Sequence, residues 1–91
     1  MAHFLLREEG LFVGSSSSLN VVAAVRAARS LASSSEAVSG GRRAIVTVVC
    51  DSGSRHLSRF WNRDYVEKNN LTWPENDSIP LCLREYEQQY Q

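Results

Sequence analysis

Ninety-one residues with 10 basic and 10 acidic side chains, 43% apolar, 5 Gly, 2 Pro and 2 Cys describe at most one small soluble domain and exclude two. A formal net charge of zero removes the electrostatic footprint of a nucleic-acid binder or a polybasic membrane partner. Cys50 and Cys82 allow one bridge at most, which excludes a secreted disulfide scaffold and makes a reducing setting the default.

From Met1 to Glu9 the composition favours helix, with Phe4, Leu5 and Leu6 on one side and Arg7, Glu8 and Glu9 toward water. The charges follow the apolar patch at once, so the segment reads as neither a signal peptide nor a transit peptide. Gly10 is the expected helix C-terminal residue with positive φ. Leu11-Phe12-Val13, closed by Gly14, reads as a brief buried strand or an extended connector. Ser15 to Ser18 then form a polar approach to a helix from Leu19 to Ala32. That stretch is Ala-rich and apolar round most of its circumference, which predicts a buried helix. Arg26, Arg29 and Ser30 interrupt it, so it falls short of the roughly 18 apolar residues of a membrane span.

Residues 33–43 carry Ser33-Ser34-Ser35 and Ser39-Gly40-Gly41 and read as a surface loop. Ala44 to Cys50 is a β-branched run without alternation, the pattern of a central strand covered on both faces. Asp51-Ser52-Gly53-Ser54 is a turn and cap cluster, and Arg55 to Trp61 a short helix capped by Ser52 or Ser54. From Asn62 onward periodicity fades, and residues 66–91 read as a peripheral, poorly ordered tail.

Helix, strand and helix around a buried strand predict an α/β fold: helix, short strand, buried helix, buried strand, short helix, irregular tail. One strand of about seven residues and a second short one cannot build the roughly 4 to 6 strands of an α/β sheet. A central strand also needs neighbours on both sides to satisfy its backbone. The chain therefore reads as a piece of something larger.

Ligands of open α/β sheets bind outside the carboxyl ends of the strands, where two polar turns could sit. One is Gly14-Ser15-Ser16-Ser17-Ser18, with free N–H groups and hydroxyls ahead of a helix; the other is Asp51-Ser52-Gly53-Ser54. On spacing alone the first is a helix cap and the second an ordinary strand-to-helix turn. His3, His56 and the two cysteines lack metal-ligand spacing, no Ser-His-Asp triad is spaced for catalysis, and Cys50 reads as a small core residue. No catalytic residue and no metal ligand is assigned.

Taken with their flanks, Glu9-Gly10-Leu11-Phe12-Val13-Gly14-Ser15-Ser16-Ser17-Ser18-Leu19-Asn20 and Val48-Val49-Cys50-Asp51-Ser52-Gly53-Ser54-Arg55-His56-Leu57-Ser58 resemble two signature segments of one family. It is the cysteine synthase and cystathionine β-synthase family of fold-type II pyridoxal phosphate enzymes, in the tryptophan synthase β-like superfamily. Within it the chain is similar to the fungal cysteine synthases. The resemblance covers residues 1–65, about the last fifth to quarter of such an enzyme, and implies that they are the C-terminal part of its catalytic domain. It implies that Ser16 faces the pyridine nitrogen of pyridoxal 5'-phosphate and that Gly14 lets the backbone pass under the ring. It further implies that Ser15 and Ser17 line the same loop, and that Asp51 and Ser52 close the far side. Ser18 departs from the glycine of many relatives.

The resemblance implies PLP-dependent β-replacement of the acetoxy group of O-acetylserine by sulfide to give cysteine. The intact family would act on an amino-acid substrate, as a homodimer, in the cytoplasm or mitochondrion. The family's Schiff-base lysine and glycine-rich phosphate loop have no counterpart here: Lys68 is the only lysine and lies in the tail, and Gly40-Gly41 precede a strand. A chain without them is expected to be silent alone and not to bind the cofactor stably. Two other readings stay open: a cystathionine β-synthase-type fragment acting on serine and homocysteine, and a non-enzymatic interaction fragment that pairs with a full-length relative.

Overall fold

The computed structural model describes residues 1–32 and 43–84. Helix α1, Ala2–Phe4, widens into π-type turns over Leu5–Glu9. Ala2 and Leu5 are buried while Leu6 is exposed, so α1 turns one narrow edge inward. Gly10 stops it at φ 68, ψ 19, a left-handed conformation that costs glycine little. Its N–H caps the carbonyls of Leu5 and Leu6, and Leu11 N–H returns to Leu5 O at 3.1 Å.

Helix α2 runs over Ser15–Ala32, four residues earlier than the sequence suggested. The serines are its first turn, and Gly14 O accepts from Ser18 N–H at 3.1 Å. Serine suits a first turn because its short hydroxyl reaches backbone groups that the turn leaves open.

Neither predicted strand forms. Among the described residues the β pairing is one isolated antiparallel bridge, Val13 to Ser52. Residues 43–50 are without helix or strand hydrogen bonding, and Val46 is 89% exposed, Val48 63% and Val49 55%. The expected α/β architecture is thus corrected to a mostly helical piece, for a physical reason. A β-branched run becomes a strand only when another strand accepts its backbone bonds, and the described residues contain none placed to do so. The buried-helix expectation is corrected too: Leu19 on α2 is 67% exposed, because that side faces an open cavity and not a packed layer. The expected loop at residues 33–43 falls, except for Arg43, outside the described residues.

Ser52 caps a 3-10 turn over Gly53–His56, its hydroxyl accepting from Ser54 N–H. The helix expected over residues 55–61 is this shorter turn. Helix α3, Arg63–Lys68, is capped by Asn62 through Tyr65 N–H. Residues 66–84 lie back on the rest. Arg7 donates to Asn76 O and to Ser78 O at 3.0 Å, and Arg29 donates to Cys82 O at 2.9 Å. The His3 ring sits between Trp61 and Trp73, with centroids at 4.6 and 4.5 Å. Among the described residues the buried apolar side chains are Ala2, Leu5, Val13, Val66 and Cys82, a small core.

Candidate functional site

The two polar turns, more than thirty residues apart in sequence, meet in space. Beside the Val13–Ser52 bridge, Gly53 N–H donates to Phe12 O at 3.0 Å and Gly14 N–H to Asp51 O at 3.5 Å. Trp61 Nε1 donates to Val13 O at 2.8 Å and packs on Phe12 with centroids 4.9 Å apart. Both glycines are needed for this approach. A Cβ on Gly14 would lie 2.5 Å from Asp51 Oδ1 and 2.8 Å from the His56 ring, and one on Gly53 would lie 2.6 Å from the Phe12 ring.

The four serines have four different situations. Ser17 is fully buried. Its hydroxyl accepts from Cys50 N–H at 2.9 Å and Asp51 N–H at 3.4 Å, and donates to Asp51 O at 3.3 Å. It is the rivet between α2 and the second turn. Ser18 donates to Ser15 O at 2.9 Å, closing the first helical turn. Ser15 is exposed, and Ser16 is exposed with no side-chain hydrogen bond among the described residues. At 100° per residue, Ser17 and Asn20 face the chain at 47–51. Ser15, Ser18, Leu19 and Val22 instead line an open, largely apolar cavity of about 340 Å³ walled by Phe60 and Trp73. Ser16 lies between these two faces, at the end of α2 where unbonded N–H groups give positive potential.

On the second turn Asp51 Oδ2 is 2.8 Å from His56 Nε2, while Asp51 Oδ1 is buried without a hydrogen-bond partner among the described residues. The pair lies directly on Gly14. The Ser52 hydroxyl is committed to its own turn, accepting from Ser54 N–H at 3.2 Å and Ser54 Oγ at 3.0 Å. Of the residues singled out in the sequence, Gly14, Ser17, Asp51 and Ser52 are therefore drawn together in the junction, and Ser15 and Ser16 stand at its solvent edge. Asn20, His56 and Trp61 were not anticipated as parts of it. Asn20 donates to Val48 O at 3.0 Å and reaches Cys50 Sγ at 3.4 Å. The spacing Asp51 to His56 across a Ser-Gly-Ser turn was the available signal for their hydrogen bond; nothing local announces Trp61.

Chemically, the rim of the junction offers one exposed hydroxyl, Ser16, in the positive field at the start of α2. Among the described residues no three His, Cys, Asp or Glu side chains form a metal-binding group. No helix among them is long and apolar enough to cross a membrane. Lys68 is exposed in the last turn of α3. Burial holds the His3 imidazole below its ordinary pKa of 6.5.

The chain is 45% identical over 71 residues to Cysteine synthase 2 of Schizosaccharomyces pombe, covering 78% of this chain and 16% of that protein. It is 46% identical over 71 residues to Cysteine synthase of Dictyostelium discoideum, covering 78% of this chain and 17% of that protein. Cysteine synthase 1 of Neurospora crassa is 37% identical over 86 residues, 94% of this chain and 20% of that protein. This last match takes in residues after Tyr65, where the sequence alone offered no support. The chain spans about a sixth to a fifth of the length of these curated relatives. No family model matches it, and no solved structure does.

Proposed function

Since the chain carries a segment of cysteine synthase family sequence, we propose that it supplies one edge of a pyridoxal phosphate site, the edge that receives the ring nitrogen. The observation that supports this most is the meeting of the two polar turns, with an exposed hydroxyl, Ser16, left at their rim. The residues fit that edge of the cofactor. Gly14 is buried with Asp51 and His56 packed against it, which holds the second turn close beside Ser16.

When bound, the cofactor supplies the electron-withdrawing ring on which β-replacement of an amino acid depends. Ser16 would offer the ring nitrogen one neutral hydrogen bond in the positive field at the start of α2. That field would disfavour a proton on the nitrogen, unlike a carboxylate, and would leave the ring a moderate electron sink. Such a sink suits loss of a good leaving group, the acetate of O-acetylserine, and its replacement by sulfide. The relatives' name favours this reaction over the serine and homocysteine chemistry of cystathionine formation. Asp51 and His56 back Gly14, Ser17 rivets α2 to the second turn, and Ser52 shapes that turn on the far side.

Residues 1–65 form the catalytic-domain part in this reading and 66–91 a peripheral segment. The lysine and the phosphate loop come from outside these 91 residues, so the chain alone is catalytically silent and does not hold the cofactor stably. The setting is the cytoplasm or mitochondrion. The test is a hybrid in which this chain replaces the matching segment of the S. pombe Cysteine synthase 2. Retained pyridoxal phosphate absorbance and cysteine formation, with both altered by Ser16→Asp, are expected. A folded hybrid that holds cofactor and is indifferent to Ser16→Asp refutes the assignment.

A further inference from the structure

Ser16 stands between two residues that are bound to the same third one. Two positions before it, Gly14 N–H reaches Asp51 O at 3.5 Å. One position after it, the Ser17 hydroxyl donates to Asp51 O at 3.3 Å and accepts from Asp51 N–H at 3.4 Å. The main chain of Asp51 therefore brackets the turn that carries Ser16, and the group that holds Asp51 in place also holds the direction of the Ser16 hydroxyl. Among the described residues the Asp51 side chain has one polar tether. Its Oδ2 lies 2.8 Å from His56 Nε2, while Oδ1 is buried with no hydrogen-bond partner. A carboxylate only accepts, so His56 Nε2 carries the proton of this bond. The same edge of the ring packs on Gly14, where a Cβ would lie 2.8 Å from both Cδ2 and Nε2. The main chain of His56 grips from the other side: its carbonyl accepts from Trp61 N–H at 2.9 Å, and the Trp61 indole donates to Val13 O at 2.8 Å. One residue thus joins the two holds on Val13 and Gly14, the approach to α2.

We propose, on the reading that Ser16 receives the ring nitrogen, that His56 is a positioning residue which acts through Asp51 to aim the Ser16 hydroxyl. A carboxylate with one oxygen already buried and unpaired loses its last compensation when its donor is removed, and such a group turns to water. That movement empties the space against Gly14, and the long 3.5 Å contact from Gly14 N–H is the first to open. Ser17 keeps its short bond from Cys50 N–H at 2.9 Å, so α2 stays docked while its first turn loosens. The consequence is a loss of aim at Ser16 rather than a loss of fold. A replacement for His56 must be flat enough to lie on Gly14 and must present an N–H as far along the side chain as Nε2. Glutamine does both. Asparagine carries its amide one carbon too short, and leucine has no donor.

Two measurements test it, one on the 91-residue chain and one on the S. pombe Cysteine synthase 2 hybrid. On the chain, hydrogen exchange of the Gly14 amide should quicken about tenfold in His56→Leu, the response to losing one hydrogen bond's worth of local stability. His56→Gln should restore the parent rate. In the hybrid, His56→Leu should move the absorbance band of the bound cofactor in the direction that Ser16→Ala moves it. The double variant Ser16→Ala, His56→Leu should move it no further than Ser16→Ala alone, because no hydroxyl is left to aim. An unchanged Gly14 amide in His56→Leu overturns the proposal. So do additive band shifts, which would give His56 an effect independent of Ser16, and a His56→Gln variant that behaves as His56→Leu. If the leucine variant does not fold, glutamine and asparagine decide: parent-like exchange in His56→Gln with quickened exchange in His56→Asn is expected, and equal behaviour overturns the proposal. A hybrid that responds to Ser16→Asp but not to His56→Leu removes the positioning role alone, whereas one indifferent to Ser16→Asp removes the Ser16 reading and this role with it.

Discussion

Ser16 and Ser17 are neighbours of the same type with opposite roles, and replacing each by alanine separates them. Ser17 is fully buried and makes three hydrogen bonds, one short at 2.9 Å to Cys50 N–H and two longer at 3.4 and 3.3 Å to Asp51. Ser17→Ala removes all three and strands the Cys50 amide, worth about 2 kcal/mol when the longer contacts are discounted. Alanine's better helix propensity returns up to about 0.5 kcal/mol, leaving a net loss of about 1.5–2 kcal/mol. For a domain of this size each kcal/mol moves Tm by about 4–8 °C, so Ser17→Ala should lower Tm by about 6–16 °C. Ser16→Ala touches an exposed hydroxyl with no partner among the described residues and should stay within about 3 °C of the parent. The assay is a circular dichroism melt of the three chains at one concentration, with exchange of the Cys50 amide as the local readout. It should quicken in Ser17→Ala alone. A Ser17→Ala loss no larger than that of Ser16→Ala refutes the rivet.

Gly14→Ala drives a methyl onto Asp51 Oδ1 and the His56 ring; a loss of about 1–3 kcal/mol, measured by the same melt, is expected, and a neutral result would mean the junction is open. Trp61→Phe keeps a ring beside Phe12 but leaves Val13 O, on a residue 4% exposed, without its 2.8 Å donor; a loss of about 1–3 kcal/mol is expected. His3 gives a pH dependence. Burial lowers its pKa in the folded chain below 6.5, so the folded state binds fewer protons than the unfolded one. Its contribution is complete above pH 6.5 and is lost as pH falls through 6.5 toward the lowered value. Melts of the parent and His3→Phe across pH 5 to 8, the span in which an ordinary His titrates, should diverge on the acid side only; parallel curves would refute the assignment.

The helix stop at Gly10 and the cap at Ser52 were legible because each depends on one residue and its immediate neighbours. The start of α2 was not. Serine's preference for caps drew the eye to a loop before Leu19, whereas Gly14 opens the helix and the serines fill its first turn. Ser17 earns its place there through bonds to residues 33 and 34 positions away, and no local pattern carries such information. Trp61 and Trp73 lie far along the chain from His3, yet both close on it; a histidine near the start of a sequence says nothing about which distant aromatics will flank it.

The run at residues 44–50 teaches a different lesson, because its sequence and its structure are each consistent with physics and still disagree. Seven uncharged residues, five of them β-branched, state a preference for a pleated, covered environment. That preference describes a surface and a ladder of hydrogen bonds that other strands must provide. In this chain α2 supplies side-chain partners for one edge only, so the run stays unpaired and its valines stay exposed. The apolar side of α2 at Leu19 is in the same position. Burial patterns therefore report the environment for which a sequence is suited, and bonds within the chain report how much of it the chain supplies. The junction of the two polar turns is closed by bonds within the chain, since Gly14 and Ser17 bind Asp51 and Trp61 binds Val13. That is why the junction forms within these residues while the sheet around it does not.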